Sequence, residues 1–290
     1  MLNKKSIYGI IGQPLTHSLS PLMHNTAFKN LGIDAEYKLF PLNEEELDDF
    51  FSELREQSNP ILGLNVTVPY KEKVIQYLDT LSAYAQKTMA VNTITVSPDR
   101  SLTGFNTDGP GFLTHLTELK FETSGKRIAL LGSGGTARAI ISVLCLVLER
   151  PHSILVYNRH PQKTLQLISD LAKRMDVSIV HSVSSIDDLN VELSDLLINT
   201  TPLGLKPNDS SLVRGDLLHT DMLVYDVIYN PVQTSLLKLA QEKGAQTSNG
   251  LGMLFFQGAL AFHHWMGYEL DPKTKAKIRK VLQLETGGNK

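Results

Sequence analysis

The sequence predicts an α/β protein made of two domains, each built on a mostly parallel sheet. Short β-branched runs alternate with longer stretches of helical period, the pattern of parallel α/β architecture. A glycine-rich turn joins an apolar strand to a helix near the middle of the chain. The strand–helix alternation then restarts after Ser124-Gly125. At 290 residues the chain has the length of about two domains.

Residues 6–11 form the first expected strand, and Ser20-Pro21 supplies an N-cap and a first-turn proline for a helix to about Leu31. Residues 36–42 alternate as a second strand. Asn43 caps the acidic helix after it, where Glu44, Glu45 and Glu46 suit the positive helix end. Residues 62–68 are a third strand closed by Pro69, and residues 70–88 a third helix. Residues 90–96 and 101–105 flank Pro98-Asp99-Arg100, a hairpin turn. In the second half, residues 127–131, 153–157, 177–181, 196–199 and 223–227 read as strands. Residues 136–148 and 161–174 read as helices. Residues 253–265 form a largely buried helix, and Asp271-Pro272 opens a last helix rich in Lys and Arg. The expected division is 1–108 and 109–250, with the helices from about 251 to 290 packing back on the first domain and a crevice between the domains.

Composition excludes several classes. Hydrophobic residues make up 42% and charged residues 20%, too apolar for a disordered chain. Lys plus Arg is 28 against 30 Asp plus Glu, a net charge of −2, which gives no electrostatic reason for a nucleic-acid partner or an anionic membrane. The single cysteine, Cys145, excludes an internal disulfide, and with no secretory signal or membrane-length apolar run the expected location is the cytoplasm. His263 and His264 are adjacent and point in different directions on a helix, so no metal is expected. A monomer and a homodimer fit the sequence equally.

Gly132-Ser133-Gly134-Gly135-Thr136-Ala137 fits G-x-G-x-x-A in the strand–turn–helix setting that gives the pattern meaning. Gly132 permits the turn, Gly134 lets the backbone approach a pyrophosphate at the helix N-terminus, and Ala137 lets helix pack on strand. The following strand ends in Asn158-Arg159-His160 with Lys163 close behind, where an NAD-binding unit usually carries an acid. An acid would repel a 2′-phosphate, whereas a guanidinium grips it. NADP(H) is the expected cofactor.

Polar residues also gather at strand ends in the first half: His17-Ser18-Leu-Ser20, Asn65-Val-Thr67-Val-Pro69-Tyr70-Lys71, Asn92-Thr93 and Asn106-Thr107-Asp108. Taken singly, Ser18 and Ser20 read equally well as helix caps. Lys71 alone reads as a solvated first-turn lysine, and Asp108 as the cap of the Gly109-Pro110-Gly111 helix start. Their joint occurrence at carboxyl ends of strands points to a small, oxygen-rich ligand.

These segments, with Gly250-Leu-Gly-Met-Leu-Phe-Phe-Gln257, resemble the shikimate dehydrogenase family from about residue 6 to 270, with every motif in order. The resemblance implies an N-terminal substrate domain and a C-terminal Rossmann domain. It also implies reversible NADPH-dependent reduction of 3-dehydroshikimate to shikimate, a step of aromatic amino-acid biosynthesis. By motif position, Lys71 and Asp108 would be the catalytic pair. Ser18, Ser20 and Tyr229 would hold the substrate carboxylate, and Thr67, Asn92, Asp108 and Gln257 its hydroxyls. Gly132, Ser133, Gly134, Gly135, Thr136, Asn158, Arg159, His160, Lys163, Val227 and Gly250 would meet the cofactor. His160 stands where Thr or Ser often follows Asn-Arg, Lys163 where Arg is frequent, and Ala83 where an acid is common. Asp108 is expected to position Lys71 and a substrate hydroxyl rather than to make Lys71 more basic. The rival within reach is a quinate/shikimate dehydrogenase that also accepts NAD.

Overall fold

In the computed structural model, which describes residues 5–206 and 208–287, the chain forms two units. One takes the residues up to Gly111 and those from Leu254 onward; the other is Phe112–Met253.

The first unit begins with β1 (Ser6–Gly12), α1 (Ser20–Leu31), β2 (Ala35–Pro41), α2 (Leu47–Leu54) and β3 (Ile61–Val66). It continues through β4 (Thr80–Leu81), α3 (Ala83–Thr88), β5 (Thr93–Val96) and β6 (Leu102–Phe105) to α4 (Asp108–Glu118). The sheet order is β2-β1-β3-β5-β6-β4. β1 runs parallel to β2 and β3, whereas β5 is antiparallel to both its neighbours. Ile7, Tyr8, Ile10 and Ile11 are all buried, as an interior parallel strand covered on both faces requires. Ile11, Leu64, Val66 and Ile94 from the sheet pack with Leu47, Phe51 and Leu54 of α2. Gly32 ends α1 in the left-handed region at φ 68°, and Ile33 N–H then donates to Phe28 O at 2.9 Å, a helix stop that favours glycine.

Three local expectations are corrected here. Ser20 is the first residue of α1 rather than its cap; Leu19 holds the cap position and no side chain caps it. Instead, Ser18 Oγ accepts the Ser20 N–H at 3.4 Å. Asn43 does hold the N-cap of the acidic stretch, its N–H donating to the Glu46 carboxylate at 2.7 Å, but that stretch is a 3-10 turn, Glu44–Glu46, ahead of α2. Residues 70–88 are not one helix but a 3-10 turn (Lys73–Tyr77), β4 and α3. Asp79 breaks the helical period: its N–H donates to Leu102 O at 3.0 Å, while its carboxylate accepts the Leu102 N–H at 2.7 Å and an Arg55 N–H at 2.9 Å. Those bonds draw the chain onto the sheet edge, and Ser82 starts a new helix by accepting the Ala85 N–H at 3.2 Å.

The second unit contains β7 (Arg127–Leu131), α5 (Gly135–Leu146), β8 (Ser153–Tyr157), α6 (Pro161–Ala172) and β9 (Val180–Val183). After these come β10 (Leu196–Asn199), β11 (Leu223–Asp226), α7 (Ser235–Glu242) and β12 (Gln246–Ser248). Two further helices, α8 (Leu251–Met266) and α9 (Pro272–Gly287), end the described chain. The order β9-β8-β7-β10-β11-β12, parallel throughout, is that of the doubly wound Rossmann fold. Its switch point lies between β7 and β10, where ligands bind beyond the strand ends. The strand expected at 177–181 falls instead at Val180–Val183, because Val180 N–H closes a turn onto Val177 O at 2.8 Å. α5 ends at Leu146, and Leu148, which the apolar run places inside that helix, is exposed.

Candidate active site

In the first unit the strand-end polar residues meet. Lys71 Nζ lies 2.6 Å from Asp108 Oδ2, and the two residues are only 9% and 6% exposed. Lys71 is therefore no solvated lysine. Asp108 Oδ1 accepts from Asn92 Nδ2 at 2.8 Å, so each carboxylate oxygen has its own donor. Asn92 Nδ2 is also 2.9 Å from Thr107 Oγ1 and 3.3 Å from Gln257 Oε1. An amide NH2 carries two protons, so these acceptors share it. Asn92 Oδ1 accepts the Thr107 N–H at 2.7 Å, which settles the orientation of the amide.

The surrounding backbone fixes this cluster. Gly111, in the first turn of α4, packs so closely that a Cβ there would lie 2.7 Å from the Gln257 N of α8. Gly12 does the same beside Thr67, whose Cγ2 would be 2.4 Å from an added Cβ. Asn65 Nδ2 donates to Asn92 O at 3.1 Å and to Thr93 Oγ1 at 3.2 Å, and Asn65 Oδ1 accepts the Tyr37 hydroxyl at 2.7 Å. Burial holds the Tyr37 phenol well above its usual range. Ser18 and Thr67 are half-buried, whereas Ser20 is buried. Tyr229 belongs to the second unit and is half-buried.

In the second unit, the glycine loop has the shape its sequence requires. Gly132 stands at φ 105°, and a Cβ on it would meet Thr200 Oγ1 at 2.5 Å. A Cβ on Gly134 would meet no described atom within 4 Å, and Gly134, at the N-cap of α5, has no side chain to cap the helix. Those features fit an anion such as a pyrophosphate at the helix start. Ser133 is tied to the next strand end, its Oγ accepting Asn158 Nδ2 at 2.7 Å, and Asn158 Oδ1 accepts the His160 N–H at 2.9 Å. Arg159, His160 and Lys163 are exposed at the start of α6, and Arg159 has no acidic partner among the described residues. A free guanidinium there suits a 2′-phosphate. Gly250 approaches Val227 closely: a Cβ on Gly250 would sit 1.9 Å from Val227 O.

Sequence reasoning passed over several polar residues. Asp226 is fully buried and accepts from Thr234 Oγ1 at 2.7 Å, Asn199 Nδ2 at 3.0 Å and Ile228 N–H at 3.1 Å; burial raises its carboxyl above the usual range. These bonds brace the turn that carries Val227 and Tyr229. The available signal was a polar residue closing an apolar strand, as in Leu196-Leu-Ile-Asn199 and Leu223-Val-Tyr-Asp226. Tyr37 gave no such signal, because an aromatic in an alternating strand reads as core. Among the described residues no cluster of His, Cys, Asp and Glu could hold a metal ion, and no helix is long and apolar enough to cross a membrane.

The shikimate dehydrogenase substrate binding domain family matches residues 10–94. The chain is 40% identical over 280 residues to the shikimate dehydrogenase (NADP(+)) of Carboxydothermus hydrogenoformans, covering 95% of this chain and 96% of that one. Among solved structures, it is similar to the shikimate 5-dehydrogenase of Thermus thermophilus in complex with NADP(H) and shikimate. That similarity has a TM-score of 0.81 and 32% identity, covering 96% of this chain and 99% of the other. A quinate dehydrogenase from Corynebacterium glutamicum, in complex with NAD, superposes with a TM-score of 0.86 at 26% identity, covering 97% and 99%.

Proposed function

The chain belongs to the shikimate dehydrogenase family, and we propose from that premise that it interconverts 3-dehydroshikimate and shikimate with NADP(H). The observation that carries the reading is the buried Lys71–Asp108 pair, held at 2.6 Å inside a hydrogen-bonded cluster. Such a pair offers a proton donor in a site otherwise made of hydroxyls and amides.

The Gly132 to Thr136 loop, Asn158, Arg159, His160, Lys163, Val227 and Gly250 would hold NADP(H), which when bound would supply or accept the hydride. Reduction of the ketone builds negative charge on its oxygen, and the Lys71 ammonium delivers a proton there. In the reverse direction the Lys71 amine takes that proton from the alcohol. Asp108 keeps Nζ aimed and accepts from a substrate hydroxyl, while Asn92 holds the other carboxylate oxygen. Thr67 and Gln257 bind further hydroxyls. Ser18 and Ser20 hold the substrate carboxylate, an acceptor-only group that needs hydroxyl donors. Arg159 supports NADP over NAD, since no acid stands in that position.

Initial rates of reduced nicotinamide formation test this directly, with shikimate or quinate each against NADP⁺ and NAD⁺. Strong activity with shikimate and NADP⁺ alone is expected. Comparable rates with quinate or NAD⁺ would overturn the narrow assignment, and no activity in any pairing would overturn the reaction itself.

A further inference from the structure

Asn106 is in neither the substrate set nor the catalytic pair, yet it is buried and makes two directed bonds. Its Oδ1 accepts the Asp108 N–H at 3.1 Å, and its Nδ2 donates to the Ala90 carbonyl at 3.0 Å. Val91, the next residue, donates its N–H to the Lys71 carbonyl at 2.7 Å. The backbone of Asp108 is thereby tied through one amide to the two-residue segment that also ties the backbone of Lys71. Ala90 and Val91 are fully buried, so that segment is fixed by packing as well.

We infer that Asn106 is a positioning residue that sets the spacing of Lys71 and Asp108 for proton transfer, a role that rests on the assignment of Lys71 above. The polarity of the clamp admits one arrangement only. A backbone N–H can only donate and a carbonyl can only accept, so the amide fits in a single orientation. A carboxylate of the same shape would still receive the Asp108 N–H but would face the Ala90 carbonyl with a lone pair. The Thr88 hydroxyl, 3.3 Å from Ala90 O, also lies within reach of Tyr84 O and Ala85 O and does not replace the link to Asp108.

The test compares Asn106→Asp and Asn106→Ala with Lys71→Met and the Lys71→Met/Asn106→Asp double variant in full-length enzyme. The readouts are kcat and KM for shikimate, and NADP⁺ binding by fluorescence titration. Asn106→Asp loses the bond to Ala90 and Asn106→Ala loses both bonds, so kcat should fall about tenfold or more in each. NADP⁺ affinity should stay within about twofold, which a general loss of folding would not allow. In single-turnover measurements the double variant should be no slower than Lys71→Met alone, because the two act as one unit. Wild-type kcat in Asn106→Asp would show that shape rather than polarity matters and would overturn the inference. An additive loss in the double variant would overturn it too. Wild-type turnover in Lys71→Met would instead remove the assignment of Lys71, an outcome read on a different variant.

Discussion

Lys71 Nζ and Asp108 Oδ2 stand 2.6 Å apart with their side chains about nine-tenths buried, and the remaining Asp108 oxygen is held by Asn92 at 2.8 Å. An ion pair so placed is poor evidence of stabilisation, since desolvation offsets much of the attraction. Its value lies in chemistry. Removing the amine deprives the reaction of its proton donor but leaves Asp108 with the Asn92 bond. Lys71→Ala is therefore expected to lower kcat by roughly 10²–10⁴, the usual worth of a general acid, with shikimate KM changed only a few-fold. Steady-state rates with NADP⁺ in excess check this, and turnover near wild type would remove Lys71 from the mechanism.

Arg159 is exposed, with no acidic partner among the described residues, beside the glycine loop to which Asn158 is tied through Ser133. Its proposed contact is the 2′-phosphate that distinguishes NADP from NAD. Charge-assisted bonds of this kind are worth about 1.5–3 kcal/mol, so Arg159→Ala should raise the NADP⁺ KM roughly 10–100-fold. The KM for NAD⁺ should barely move. Equal effects on the two cofactors would show that Arg159 contacts the shared part of the nucleotide.

Gly111 lets α4 lie against α8 at the residue that carries Gln257. An alanine Cβ would stand 2.7 Å from Gln257 N and 2.9 Å from its Cα, and backbone cannot yield as a flexible side chain does. Overpacking of this kind costs about 1–3 kcal/mol. Gly111→Ala should therefore displace Gln257 and raise the shikimate KM about tenfold while sparing the NADP⁺ KM. An unchanged shikimate KM would show that Gln257 is not a substrate contact.

The legibility of this chain follows from where each signal is local. The glycine loop was readable because Gly132 needs φ 105° and the strand and helix around it are short-range patterns. The strand-end polar residues were readable as a set for the same reason. The helix assigned to residues 70–88 failed because its period is broken from outside, by Arg55 and Leu102 binding Asp79. Distance in the chain also hid the roles of Tyr37 and Asn106. Tyr37 reaches Asn65 across 28 residues and Asn106 reaches Ala90 across 16, and neither partner can be paired from spacing alone.

His24, on α1 one turn after Ser20, is fully buried, stacked on Tyr37 at 4.6 Å, and both its ring nitrogens lack a hydrogen-bond partner among the described residues. Burial pushes its pKa down from 6.5 to about 3. The sign follows from proton counts: between those values the unfolded chain binds a proton that the folded chain refuses, so stability rises with pH. The contribution of neutral His24 is complete above pH 6.5 and is lost as pH falls toward 3, at up to about 1.4 kcal/mol per pH unit. His24→Leu removes the titrating group and keeps an apolar filler. From pH 6 to pH 4 the wild type should lose about 2–3 kcal/mol more than this variant. Urea unfolding at four pH values between 7 and 4 measures the difference. Parallel stability curves would mean that His24 gains a proton in the folded state, against its burial.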